Sequence, residues 1–251
     1  MGSATGRERG TRAALSYSLP EGRGLEILPG VHRIGVLGSS VFLLEGRSLV
    51  LVDAGPRGSG SRILRYLRHI GRSPRELDLI VLTHYHPDHA GGAAELARLA
   101  RAPIAAHVAE APYLRGEIGM PNPFVRHQAL AAAASPLLPW IMPQPVRVDV
   151  ELEDGDGLPG LEGLRVVHTP GHTPGSISLY APARRLLLVG DALEWKRGEL
   201  RLPSRFFSED LEEAARSVQK LASLDARTLC FSHFPPADQA ARRLRSLAAG
   251  A

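Results

Sequence analysis

Cysteine is nearly absent from this chain. Cys230 stands alone among 251 residues, which excludes an intrachain disulfide framework and fits a reducing, cytoplasmic setting. Long apolar runs are missing too, since no stretch reaches the roughly 18 consecutive apolar residues of a membrane span. Met1 to Arg12 is rich in Gly and Arg and has no apolar h-region, so it does not read as a secretory signal. Residues 1–22 are expected to be a disordered tail ahead of one domain over 23–251. Lysine occurs only as Lys196 and Lys220, so the net charge of +4 and the pI of about 9.6 rest on arginine. That charge is spread along the chain. Only Arg242, Arg243 and Arg245 cluster, on a C-terminal helical pattern without interleaved aromatics, which predicts a solvated helix face and not a nucleic-acid contact. An apolar content of 44% can fill a substantial core, and the expected partner is a small molecule, not a membrane.

What the chain does have is histidine concentrated in one place. Thr83-His84-Tyr85-His86-Pro87-Asp88-His89-Ala90-Gly91-Gly92 puts three of ten histidines and an aspartate within six residues. The apolar run Leu79-Ile80-Val81-Leu82 before it predicts a buried strand, so the polar burst lies where that strand leaves the core. Imidazole and carboxylate suit Zn²⁺ and similar divalent ions. His84 and His86, two apart on extended chain, point to one side and can share a metal. Pro87 then bends the backbone, which turns Asp88 and His89 toward a neighbouring position. A low-complexity loop would not sit between a buried strand and a Gly-Gly helix entry.

The pattern His84-x-His86-x-Asp88-His89 resembles the signature of the metallo-β-lactamase superfamily, a group of metal-dependent hydrolases, and the resemblance runs over nearly the whole chain. Leu51-Val52-Asp53-Ala54-Gly55 is similar to its first motif, and Val167–Ser176 to its third, with His172 at the metal-ligand position. Leu188-Val189-Gly190-Asp191 is similar to the fourth, whose aspartate bridges two metals, and Cys230-Phe231-Ser232-His233 to the fifth. The resemblance implies an α/β chain folded as an αββα sandwich, two central mixed β-sheets flanked by helices, with metals at one rim. It implies two divalent ions, zinc first and iron or manganese as alternatives. His84, His86 and His172 would hold one, Asp88, His89 and His233 the other, and Asp191 would bridge. Such a pair lowers the pKa of a shared water from about 15.7 toward roughly 7, giving hydroxide at neutral pH. That hydroxide would attack an ester, thioester, lactone or amide carbonyl, or a phosphodiester. Asp88 is the candidate catalytic residue, orienting the hydroxide or taking its proton. Asp53 is expected to brace a ligand without being one, and His168 to serve near the site as a strand-end residue. Cys230 is read as a packed strand residue, and His32, His69, His107 and His127 as ordinary residues outside the motifs.

Thr169–Ser176 is similar to the glyoxalase II-like branch of the family, and hydrolysis of a small ester, thioester or lactone is the first reading. A mononuclear-iron persulfide dioxygenase and a nuclease of the same superfamily are the alternatives. Glu194 stands three residues after Asp191, where many quorum-signal lactonases carry tyrosine.

Period and punctuation predict strands over Val31–Leu37, Val41–Glu45, Ser48–Asp53, Ile104–His107, Val146–Leu152, Leu164–His168, Ile177–Tyr180, Leu186–Val189 and Thr228–Ser232. Gly46-Arg47 reads as a two-residue hairpin turn. Helices are predicted over Ser61–Ile70, over Ala93–Ala100, from a Ser208 cap to about Leu224, and at the C-terminus. Residues 111–145 carry Phe124, Trp140 and Met142 among seven prolines and no family motif. Apolar side chains on an irregular insertion suit a substrate cover, or equally a homodimer contact.

Overall fold

The structure, a computed structural model, describes residues 24–121 and 141–250. Strands β1 (Gly24–Leu28), β2 (Val31–Gly35), β3 (Ser40–Glu45) and β4 (Leu49–Val52) form an antiparallel meander. Strands β5 (Leu77–Leu82), β6 (Ile104–His107) and β7 (Val150–Leu152) then extend it in parallel, giving a sheet ordered β1 to β7. Helices α1 (Gly60–His69), α2 (Pro87–Ala90), α3 (Ala93–Ala100) and α4 (Ala111–Leu114) follow β4, β5 and β6. A second sheet runs β14 (Ala237–Asp238), β13 (Thr228–Cys230), β10 (Leu186–Leu188), β9 (Ile177–Ala181), β8 (Arg165–His168). The hairpin of β11 (Glu194–Lys196) and β12 (Glu199–Arg201) stands apart, and helices α5 (Leu211–Ala222) and α6 (Ala240–Ala248) complete the described chain.

Alternation along the strands creates the layers. In β3 to β5, Leu43, Leu51, Ile80 and Leu82 join Ile63, Leu67 and Leu96 of α1 and α3 in one core. Their neighbours Phe42, Leu44, Val50, Val52, Leu79 and Val81 face the other way and meet Val166, Leu179, Leu186 and Leu188 of the second sheet. The far face of that sheet, with Tyr180, Leu187 and Leu229, packs on Val218, Leu221 and Leu244 of α5 and α6. Because successive side chains point to opposite faces, each sheet is apolar on both sides. The result is the expected αββα sandwich. Cys230 is buried between the sheets, and that burial pushes its thiol up to about 12, which keeps it a packing group.

Several predicted boundaries move. Val31–Leu37, Ser48–Asp53, Leu186–Val189 and Thr228–Ser232 pair over fewer residues than their apolar runs, because their last residues leave the sheet to build the rim. Val146–Leu152 pairs only over Val150–Leu152; Val146 instead donates to the Leu114 carbonyl at 2.8 Å. The turn after β3 has three residues, because Glu45 faces Leu49. Asp210, not Ser208, caps α5, accepting from the Glu213 amide at 2.9 Å. In the 111–145 segment, Ala111 and Leu114 are core residues, so the part of it that follows β6 is structural. Phe124, Trp140 and His127 lie outside the described residues, as does the 1–22 tail.

Candidate metal centre

The rim of the sandwich gathers every histidine and aspartate that the motifs singled out as a ligand. His84 and His86 flank Tyr85 on the extended chain leaving β5, so both imidazoles face one side while Tyr85 turns into the core. His84 Nε2 lies 3.1 Å from His86 Nδ1, which is 2.9 Å from His172 Nε2. Three ring nitrogens converging at such spacing match three corners of a tetrahedron around an ion at about 2.0–2.1 Å from each. Burial and the neighbouring imidazoles push His84 and His86 well below the usual range, and burial pushes His172 down to about 4. All three are therefore neutral, the form that binds metal.

Beside this triad lies a second set. Asp88, His89 and His233 can share an ion, as can His84, His89 and Asp191. His233 Nε2 is 3.1 Å from Asp88 Oδ2 and 3.2 Å from Asp191 Oδ2. Asp191 Oδ1 is 3.4 Å from His89 Nε2, and Oδ2 is 3.7 Å from His172 Nε2, so this carboxylate reaches both sets. His89 Nε2 and Asp191 Oδ1 are fully buried with no hydrogen-bond partner; with the His89 Nδ1 proton given to Asp53, both are acceptors, and two orphaned acceptors facing one point fit a bound cation. The electrostatics agree. Against the pull of burial, the Asp191 and Asp88 carboxylates push His233 up to about 10 and, with Asp53, raise His89 as well. Positive charge is what this pocket of carboxylates requires.

The supports are as specific as the donors. Asp53 Oδ1 accepts from the Thr83 amide at 2.8 Å and the Thr83 hydroxyl at 2.9 Å, while Oδ2 lies 2.8 Å from His89 Nδ1. Thr83 Oγ1 is in turn 3.1 Å from His84 Nδ1. With the hydroxyl proton given to Asp53, His84 donates from Nδ1, and one carboxylate sets both rings with Nε2 facing inward. Asp53 does this from a left-handed backbone, φ 64°, which Asp tolerates better than most residues. His172 Nδ1 lies 3.2 Å from Ser208 Oγ, and His233 Nδ1 donates to the Gly38 carbonyl at 2.9 Å. Ser39 Oγ donates to the Asp88 carbonyl at 2.8 Å.

Glu110 is the residue that sequence reasoning missed. Fully buried, it accepts from the Tyr85 amide, the Thr173 hydroxyl and the Gly175 amide, each at 2.7 Å. It therefore ties the loop of His84 and His86 to the loop of His172. Burial pushes its carboxyl up to about 7 although these three donors favour the anion. Any side chain at Gly175 would place Cβ 2.7 Å from Glu110 Cγ. At Gly171, φ 125° and a Cβ position 2.3 Å from the Ala214 amide leave room only for glycine, which lets the His172 loop rest on α5.

His168 does not touch the candidate ligands. Its ring stacks on His107, centroids 3.9 Å apart, and its Nε2 is 3.0 Å from the Pro174 carbonyl, so it braces the loop beyond His172. Burial, then the neighbouring His168, pushes His107 down to about 4. A histidine so depressed contributes stability that is complete above about pH 6.5 and is lost as pH falls through 4, about 1–2 kcal/mol after screening. His107→Phe keeps the stack and removes the titration. Its unfolding free energy should drop less than that of the unsubstituted protein between pH 6.5 and 4, and parallel profiles in denaturant titrations would refute this. His32, bonded to Glu45 at 2.7 Å and Tyr66 at 3.0 Å, and exposed His69 lie elsewhere, as expected.

The two donor sets open into a cavity of about 570 Å³. His86, Asp88, His172, Asp191 and His233 lie on its floor, and its walls include Ile141, Glu194 and Phe207. Met142, part-buried, is not among its lining residues.

Residues 34–233 match the model of the metallo-beta-lactamase superfamily. The chain belongs to this superfamily. It is 33% identical over 237 residues to a probable metallo-hydrolase of Bacillus subtilis (strain 168), covering 87% of this chain and 89% of the relative. A second probable metallo-hydrolase of that organism is 31% identical over 193 residues, 76% of this chain and 78% of the relative. In structure it is similar to a metallo-beta-lactamase family protein of Thermus thermophilus, with a TM-score of 0.64, 28% identity and coverage of 90% and 80%. Membership in the metallo-beta-lactamase superfamily, together with the converging donors, makes the rim the divalent-metal centre of a metal-dependent hydrolase.

Proposed function

We propose that the chain is a dinuclear zinc hydrolase acting on small esters, thioesters or lactones. The observation that carries the reading is Asp191, whose two oxygens face His89 on one side and His172 and His233 on the other. Seven side chains are too many for one tetrahedral ion, and a carboxylate between two sets suits a bridge. His84, His86 and His172 would hold one ion, and Asp88, His89 and His233 the second. When bound, such a pair supplies Lewis acidity and a lowered pKa for water at neutral pH.

The chain's own groups do the positioning. Asp88 is 40% exposed toward the cavity and, against burial, His89 and His233 hold its carboxyl well below the usual range. It therefore stays an anion at neutral pH and orients an attacking water by accepting its hydrogen bond. His84 and His89 cannot turn, because Asp53 and Thr83 fix them, so the donor geometry is set before substrate arrives. Among the described residues, Arg57 is the one arginine or lysine on the cavity wall. A nucleic-acid groove tracks a charged backbone with many such groups, which favours an uncharged carbonyl substrate over a phosphodiester.

Elemental analysis of protein purified without added metal should give about two zinc ions per chain. The same preparation should turn over members of an ester, thioester and lactone panel. One tightly bound iron with oxygen consumption on a persulfide would overturn both the metal and the reaction class. Cleavage of nucleic acid alone would overturn the substrate class.

A further inference from the structure

Seven large apolar side chains stand exposed among the described residues, and three of them line this one cavity: Leu37 (67% exposed), Phe207 (46%) and Ile141 (44%). Buried Leu193 and part-buried Phe234 continue the same wall. Exposed apolar residues scattered singly need no explanation, but a group of them above a set of converging metal donors does.

Two of the three are fixed in register with the metal centre. Leu37 sits on the turn between β2 and β3, closed by the Val36 amide on the Ser39 carbonyl at 2.9 Å. The next residue, Gly38, orients His233, and the one after, Ser39, holds the Asp88 backbone. Phe207 has its amide on the Ser204 carbonyl at 3.2 Å and packs edge-on against Phe206, with centroids 4.7 Å apart. Its next residue, Ser208, faces His172. Each apolar side chain is thus one residue from a group that aims a candidate ligand. A fold that needed only those supports could carry polar residues at 37 and 207, where water reaches them.

We propose that this wall is an acyl subsite, so that the substrates carry an apolar chain or ring beside the carbonyl that is hydrolysed. The inference rests on the hydrolase reading above and adds the side of the substrate that selectivity acts on. An apolar group laid along Leu37, Ile141 and Phe207 leaves water while its carbonyl reaches the floor near Asp88 and His172.

The test uses metal-loaded protein and p-nitrophenyl esters from acetate to octanoate. kcat/KM should rise about 2- to 4-fold per added CH₂ over the shorter members, the upper figure being full burial. Leu37→Ser and Phe207→Ala should each cut that slope by half or more while metal content stays unchanged. Because Leu37 is largely exposed, its replacement does not threaten the fold. Binding of butyrate to decanoate by calorimetry provides a second readout that needs no turnover, with affinity climbing with length only where the wall is intact. If no ester is hydrolysed but carboxylate affinity still climbs, the subsite stands and the acyl-hydrolase reading falls. Ester hydrolysis at rates independent of chain length overturns the subsite, as do unchanged slopes in both variants. A dimer that dissociates in Leu37→Ser with the slope intact would assign the patch to a second copy of the chain instead.

Discussion

Asp191→Ala is expected to lower hydrolysis by about 10²- to 10³-fold or more, the scale of losing one group that stabilises transition-state charge, and to lower bound metal. Three contacts support the size of the effect. Asp191 faces His89 at 3.4 Å, His233 at 3.2 Å and His172 at 3.7 Å, so its removal weakens both donor sets at once. His86→Ala should give a comparable loss by opening the triad with His84 and His172, though it leaves the Asp88–His89–His233 set whole. Residual metal should therefore be higher in His86→Ala than in Asp191→Ala. His69→Ala is the control, an exposed helix residue whose ring lies 6.2 Å from that of Tyr66, away from the rim. Elemental analysis and steady-state rates on the three variants decide the matter; equal losses at all three would mean that the centre is misassigned.

The part of this centre that could be read from sequence was the part written in local order. His84 and His86 share a side because one residue separates them on extended chain, and strand alternation does not depend on distant partners. Asp53, His172, Asp191 and His233 each come after an apolar run, so motif order placed them near strand ends, and the structure has them one to four residues beyond β4, β8, β10 and β13. Glu110 had no such signature. Its partners are 25, 63 and 65 residues away, and nothing near Glu110 signals that it will be buried between two loops. Ser208 misled for a related reason. A serine ahead of an acidic helix start predicts a cap, but Asp210 is nearer the first turn, and the serine hydroxyl serves His172 instead. The hairpin of β11 and β12 turns through Arg197-Gly198, both with positive φ, on strands too short to show alternation.

Asp53→Asn should lower metal affinity by about 10- to 100-fold, the range found when a group bracing a metal ligand is lost, while leaving the fold recognisable. Asparagine is nearly the same shape and accepts the left-handed backbone at this position, φ 64°, so sterics are held constant. What changes is hydrogen-bond sign. The groups bonded to the Asp53 carboxylate are donors to it: the Thr83 amide on one oxygen, His89 Nδ1 on the other, and the Thr83 hydroxyl within reach of both. An amide has one acceptor oxygen and one NH₂. Turned toward Thr83, the NH₂ confronts a buried backbone N–H, which costs about 1–3 kcal/mol and should lower Tm by roughly 2–4 °C per kcal/mol. Turned toward His89, it asks Nδ1 to accept, which moves the ring proton to Nε2, the atom aimed at the centre. An imidazole can change tautomer and the Thr83 backbone N–H cannot, so the second arrangement prevails, and it weakens the His89 set more than the triad of His84, His86 and His172. Metal titrations of the variant should therefore show one site nearly intact and one weakened, with activity recovering as metal is raised. Unchanged affinity at both sites would show that Asp53 holds the strand end and has no part in aiming His89.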